Sequence, residues 1–282
     1  MKKWYFDGEA LITSINKLQL PDCCTGVWSI GQCGFFYKHK NKVVLVDPVL
    51  TPIIDENGKS KKHYGEPFSP ASNFQVDAVF CTHNHLDHFN ADTITAIAES
   101  HAETQFFIPQ AAISETAEIF AAYPERVHGL RQDQRIALWE DCSVTAVAAA
   151  HDRYETDSDG NEKALGYVFS FGNMKFFHAG DTLATDRLVN DVNACGAIDA
   201  AFLPINGRDW IREGSGIIGN MTPQEAALFA DMISCKTVFP THYDMMLGNE
   251  ESPLVFSHYM NLHYPSRAFH FLQLGEPFIM YK

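Results

Sequence analysis

Eight residues constrain this chain more than any other stretch: Cys81-Thr82-His83-Asn84-His85-Leu86-Asp87-His88. Three imidazoles and a carboxylate fall directly after residues 77–81, an apolar run that reads as a short buried strand. In an extended segment residues i and i+2 project to the same side, so His83 and His85 can share one metal ion. Asp87 and His88 are neighbours and must point differently once the chain turns, which suits a second ion nearby. The plain alternative is a His-rich surface loop, and the preceding strand and the later partners argue against it.

Those partners lie far along the chain. His151 follows the apolar run 144–150, Asp181 ends His178-Ala179-Gly180-Asp181, and His242 follows Val238-Phe239-Pro240-Thr241. Gly180 allows a sharp backbone turn ahead of Asp181. Each residue is weak evidence alone, because an isolated His is more often packed or solvated than a ligand. Their shared position just past strand C-termini is the argument, since loops held by a rigid sheet edge are where sites are built. Five imidazoles and two carboxylates offer nitrogen and oxygen donors compatible with zinc, manganese or iron.

Strands are expected at 27–30, 34–37, 43–46, 77–81, 105–108, 142–149, 165–171, 174–178, 200–204 and 237–240. Gly172-Asn173 makes a two-residue hairpin turn. Residues 51–71 are polar and rich in Pro and Lys and read as a surface excursion. Helices are expected at 91–99 and 113–122. The strongest helix start is Thr222-Pro223-Gln224-Glu225, with a Thr cap, Pro at the first position and Glu three residues after the cap. No repeat or linker divides the 282 residues, so one domain is expected over 1–282. It would be an α/β protein with two mixed sheets packed face to face and helices outside.

Composition excludes several function classes. With 21 Lys+Arg against 35 Asp+Glu the formal charge is −14, the wrong sign for a general nucleic-acid binder. No apolar run reaches the roughly 18 residues of a spanning helix, and the N-terminus turns acidic before a signal-peptide core forms. The seven scattered cysteines lack CxxC spacing and read as reduced thiols. A cytoplasmic protein without nucleic-acid or membrane partners is expected, with a homo-oligomer left open.

The order His-x-His-x-Asp-His, lone His, Gly-Asp, final His resembles the metallo-β-lactamase superfamily over nearly the whole chain. The resemblance implies a four-layer αβ/βα sandwich with a metal site at one edge. It also implies one or two divalent ions, manganese or zinc. His83, His85 and His151 would bind the first, Asp87, His88 and His242 the second, and Asp181 would bridge them. The run ending in Asp47 looks like the superfamily's early strand with its structural Asp. Two bridged metals would activate a shared water, so the implied activity is hydrolytic.

The segments 176–182, 199–204, 220–223 and 240–244 look like the branch containing L-ascorbate-6-phosphate lactonase. That implies opening of a phosphorylated sugar lactone, a small anionic substrate. Recognition is expected in the 205–222 loop, where Arg208 and Arg212 would grip a phosphate through their forked donors. Asn206 and Asn220 would add neutral hydrogen bonds. Tyr243 and Asp244 would orient the neighbouring His242. Catalytic roles are expected of Asp87 and Asp181, with His178 either a proton donor to the leaving group or a buried structural residue. Arg153 is a further phosphate candidate. A metal-dependent phosphodiesterase of the same fold would use the same ligands, and a non-catalytic metal-bound scaffold is the reading from another class.

Overall fold

The strands expected at 27–30, 34–37 and 43–46 belong to one of two seven-stranded sheets. In a computed structural model, which describes residues 4–282, the chain divides into two compact units. The first runs to Leu130 and takes back Leu272–Lys282; the second is Arg131–Phe271.

The first unit opens with helix α1 (Gly8–Lys17), which buries Leu11, Ile12 and Ile15. Strands β1 (Cys24–Gly31), β2 (Gly34–His39) and β3 (Lys42–Val46) follow as antiparallel hairpins. Next come β4 (Ala78–Phe80), α2 (Ala91–Ser100), β5 (Gln105–Pro109) and β6 (Val127–Leu130), with β3 to β6 all parallel. Nearly every residue of β1 to β5 is buried, as continuous apolar runs covered on both faces require. One core gathers Leu11, Ile15, Trp28, Phe36, Leu45, Val79, Ile94 and Phe106.

The second unit repeats the plan. Strands β7 (Arg135–Trp139), β8 (Cys142–Ala148), β9 (Leu165–Phe171) and β10 (Met174–His178) are antiparallel. Helix α3 (Asp186–Ala194) leads to β11 (Ala200–Pro204). The short α4 (Trp210–Gly214) and then α5 (Pro223–Met232) precede β12 (Thr237–Thr241), and α6 (Pro253–His263) precedes β13 (Ala268–Phe269). Strands β10 to β13 are parallel. The last strand, β14 (Pro277–Tyr281), pairs with β1 and so forms one edge of the first unit's sheet.

Three helices end on basic side chains supplied from elsewhere in the chain. Lys38 Nζ donates to Ile15 O and Asn16 O of α1 at 2.7 and 3.0 Å. Arg126 reaches Ala98 O in the last turn of α2 at 2.5 Å and His101 O and Ala102 O just past it at 2.8 and 3.0 Å. Arg267 reaches Asp231 O in the last turn of α5 at 3.2 Å and Cys235 O beyond it at 2.6 Å. The last turns of α2 and α5 carry no basic residue of their own. These cations satisfy orphan carbonyls and complement the helix dipole.

Two expectations are corrected. Residues 113–122 form no α-helix: they run as turns whose hydrogen bonds mostly span three residues, as in Ile119 N to Thr116 O and Tyr123 N to Phe120 O. Thr116 also spends its hydroxyl on Ala112 O at 2.9 Å, the local competition that weakens Ser and Thr in helices. Residues 51–71 are irregular but not merely superficial, since Ile53, Lys62, Tyr64 and Phe68 are buried. Helices α1, α3, α4 and α6 and strands β6, β7, β13 and β14 are additional to the expected elements. Among the described residues no helix is long and apolar enough to cross a membrane.

Candidate metal centre

In the first unit four candidate ligands follow β4 on one loop. Asp47, one residue past the neighbouring β3, anchors it. Asp47 N donates to Phe80 O at 2.9 Å. Its carboxylate accepts Thr82 N at 2.8 Å, Thr82 Oγ1 at 2.8 Å and His88 Nδ1 at 2.7 Å. All three residues are buried. A carboxylate can only accept, so His88 carries its proton on Nδ1 and presents Nε2 as the donor to a metal. Asp47 holds a left-handed φ of 45°, strain of the kind that gathers at functional sites.

The loop draws its imidazoles together. The His83 ring lies 4.5 Å from that of His85 and 4.2 Å from that of His88, centre to centre. His88 Nε2 is 3.8 Å from Asp87 Oδ2. His88 N and Phe89 N both donate to His85 O, at 2.9 and 2.7 Å, making a tight turn. Asn90 then caps α2 by accepting Thr93 N at 3.0 Å. His83 and His88 are buried, Asp87 is half-buried and His85 is exposed.

In the second unit the three ligands come from three loops. His151 lies beyond β8, Asp181 beyond β10 and His242 beyond β12. Asp181 Oδ2 is 3.3 Å from His151 Nε2 and 3.1 Å from His242 Nε2. Lateral bonds set this convergence. Ala150 N donates to Thr182 Oγ1 at 3.0 Å, and Leu183 N donates to Ala150 O at 2.8 Å. Gly180 at φ 60° and His242 at φ 55° make the turns.

Loop 205–222 is pinned beside these ligands: Ile205 N donates to Thr241 O at 3.0 Å and Met221 N to Thr182 O at 3.1 Å. Asn206 and Asn220 are fully buried. Asn220 Nδ2 donates to Asn206 Oδ1, and Asn206 Nδ2 to Asn249 Oδ1, both at 3.1 Å. Asn220 Oδ1 is buried and accepts no hydrogen bond from the described residues.

The arginines expected to grip a phosphate each hold a carboxylate, Arg208 that of Glu225 on α5 and Arg212 that of Asp209 in the loop. Arg208 makes a two-pronged pair with Glu225 at 2.7 and 2.8 Å and donates to Asn220 O at 2.9 Å. Arg212 pairs with Asp209 at 2.5 Å and donates to Asn206 O at 2.6 Å. Burial pushes the Glu225 carboxyl up, but Arg208 and the Thr222 N–H outweigh it and hold it below the ordinary range. Arg153 is exposed and pairs with Glu155 at 2.6 Å. The Tyr243 ring meets Phe271 edge-on at 6.1 Å, and burial pushes its hydroxyl up to about 12. Asp244 is half-buried beside it. His178 is buried and stacks on Phe202 at 6.0 Å, in an aromatic row with Phe239.

Sequence reasoning missed three residues. Thr82 links Asp47 to the loop. Cys33 Sγ, an Asp47 oxygen and a His88 nitrogen lie within 4.8 Å of one another. Gln32 Nε2 donates to Asp87 Oδ2 at 2.6 Å. Single polar residues in a hairpin turn carry no periodic signal, so nothing in the pattern marked Gln32 or Cys33.

The donor sets fit divalent ions. Each unit groups imidazole nitrogens with a carboxylate, the chemistry of zinc, manganese and iron sites. His88 is oriented by a carboxylate, as metal-ligating histidines normally are.

The family model for the beta-lactamase superfamily domain matches residues 42–243. A UPF0173 metal-dependent hydrolase of Bacillus thuringiensis (strain Al Hakam) is 27% identical over 228 residues, covering 76% of this chain and 84% of that relative. Igni18, a metallo hydrolase from the archaeon Ignicoccus hospitalis, superposes with a TM-score of 0.69 at 18% identity, over 92% of this chain and 99% of that one. An isothiocyanate hydrolase from Delia radicum gut bacteria gives 0.70 at 15% identity, over 91% and 100%. At such identities these likenesses concern the fold, and they bear out the expected α/β class of two mixed sheets with helices.

Proposed function

This chain belongs to the beta-lactamase superfamily domain family, and from that premise we propose that it is a metal-dependent hydrolase that opens a small hydroxylated lactone. The observation that carries the reading is the sharing of Asp181 Oδ2 between His151 Nε2 and His242 Nε2, at 3.3 and 3.1 Å. A carboxylate oxygen held between two imidazole nitrogens is the disposition a bridging ligand needs. His83, His85, Asp87 and His88 in the first unit and His151, Asp181 and His242 in the second would supply the ligands. When bound, the ions supply Lewis acidity and lower the pKa of water.

The chain's own residues set up that chemistry. Asp47 and Thr82 fix the His88 ring. Thr182 holds the turn that presents Asp181. His178, packed in the aromatic row, is assigned to shape rather than to proton transfer. The buried Asn220 Oδ1, which accepts no hydrogen bond from the described residues, would be completed by a substrate hydroxyl. A substrate phosphate would have to displace Glu225 from Arg208 or Asp209 from Arg212. This favours a hydroxylated lactone over the phosphorylated sugar lactone implied by the ascorbate-6-phosphate branch.

The test is metal analysis of protein purified without added metal, followed by a panel of sugar lactones with and without phosphate and of phosphodiesters. The expected result is bound divalent metal and lactone hydrolysis that a chelator removes and added metal restores. Protein that holds no metal and opens no lactone would sink the reading. Cleavage of phosphodiesters alone would replace lactone opening with phosphoryl chemistry.

A further inference from the structure

We propose that Gln32 is a positioning residue for the metal ligand Asp87, an inference that rests on the hydrolase reading above. Gln32 lies 55 residues before Asp87 in the chain, in the turn between β1 and β2, and its Nε2 donates to Asp87 Oδ2 at 2.6 Å. Gln32 is buried, while Asp87 sits half-buried on a loop whose preceding residues Asn84, His85 and Leu86 are exposed. A carboxylate in that place has water on its exposed side. An amide donor on a buried residue, bonded to Oδ2, favours one orientation of that carboxylate.

The chemistry of the donor matters. A lysine or arginine at this distance would neutralise Asp87 and oppose an incoming cation. A neutral amide orients the carboxylate and leaves its charge for the ion. Outer partners of this kind hold the ligand geometry of metal sites.

The turn is built to keep the amide in place. Gln32 takes a left-handed φ of 53°, at the first central position of a two-residue hairpin loop. Gly31 before it, at φ 97°, lies against Tyr64: an added Cβ would come within 2.3 Å of the tyrosine hydroxyl. A Cβ on Gly34 would come within 2.9 Å of Gly31 O. Neither flanking residue tolerates a side chain without shifting the turn. The left-handed backbone does not by itself single out Gln32. Lys40, in the next turn, shares a φ of 53°, with its ammonium at the surface 3.9 Å from Asp22. Burial and the bond to a ligand are what distinguish Gln32.

The experiment measures zinc binding to metal-stripped protein by competition with a chromophoric chelator, alongside thermal unfolding of the same metal-free samples. Gln32→Met keeps the length and removes the donor. It should leave the metal-free unfolding midpoint at the wild-type value and weaken one zinc site roughly 10- to 100-fold, with the other unchanged. Gln32→Glu, which sets a second carboxylate against Asp87, should fail to restore that site. Gly31→Ala, which displaces the turn against Tyr64, should weaken the same site and serves if Gln32→Met does not fold. A folded variant with wild-type affinity at both sites overturns the inference, as does equal weakening of both. Wild-type protein that takes up no zinc removes the hydrolase reading and this inference together, so the two failures are distinct.

Discussion

The two units share a plan and differ in how they deliver ligands. The sheet of each combines antiparallel hairpins with later parallel strands. The first places four ligands on one loop, after β4. The second places one ligand after each of β8, β10 and β12. In the first, covalent spacing does most of the arranging, and one lateral carboxylate, Asp47, ties the loop to the next strand. In the second, nothing but sheet register and cross-loop bonds brings His151, Asp181 and His242 within reach. The same chemistry is therefore locally encoded in one unit and globally encoded in the other.

The largest effect should come from the globally encoded set. Asp181→Ala removes the only carboxylate between His151 and His242 among the ligands assigned here, and turnover and tightly held metal should both be lost. Metal content and lactone hydrolysis check it. A variant that kept full activity would sink the sharing role, and with it the idea that the second unit converges on one oxygen.

Stability should rank the tethers. Asp47→Ala leaves Thr82 N and the His88 Nδ1–H buried without their acceptor, and should cost about 3 kcal/mol. Thr182→Val breaks the Ala150 N bond in the second unit and should cost about 1 kcal/mol. Denaturant unfolding of both variants tests the contrast. Equal costs would mean that the first unit's loop holds itself without its lateral anchor.

This difference also decides what is legible in the sequence. The loop from His83 to His88 announces itself because the chain alone brings its ligands close. His151 and His242 gain weight only from lying past strand ends, and the strands themselves were legible because their apolar runs are short and sharply bounded. Arg208 and Arg212 show the limit. Their residue type suggests a phosphate grip, but their carboxylates, Glu225 and Asp209, are supplied by a helix start and a cap within the same neighbourhood. Gln32 was illegible for the same reason: its partner lies across the sheet, and no spacing rule joins a hairpin turn to a distant loop. Residues 113–122 failed in the opposite direction, where turns and hydroxyl back-bonding replace the expected helix.

Acid pH should expose the pairing in the 205–222 loop. Burial raises the Glu225 carboxyl, yet Arg208 and Thr222 N–H hold its folded value below the ordinary 4.5. A group depressed on folding contributes fully above its unfolded value and loses that contribution as pH falls through the folded one. The stability difference between wild type and Glu225→Gln should thus be constant at neutral pH and shrink below about pH 4.5. Unfolding midpoints across that window measure it. A difference that persists at the acid end would assign the contact to packing rather than charge.

The smallest effect tests the helix start on which this loop closes. Thr222 accepts Glu225 N at 3.2 Å, and Thr222 N donates to Glu225 Oε2 at 2.9 Å, the reciprocal capping box expected from the sequence. Glu225 also holds Arg208, so the box joins α5 to the loop that flanks Asp181 and His242. Thr222→Ala removes one half of the box and leaves Glu225 in place to accept from the residue 222 N–H and from Arg208. The cost should be about 1 kcal/mol, near the Thr182→Val value and well below Asp47→Ala. Because the Arg208 pair survives, lactone turnover should fall little while the unfolding midpoint drops. A large loss of turnover at an unchanged midpoint would mean that the Thr222 hydroxyl serves the reaction and not the fold, and that the second unit hides a functional group in what reads as a helix cap.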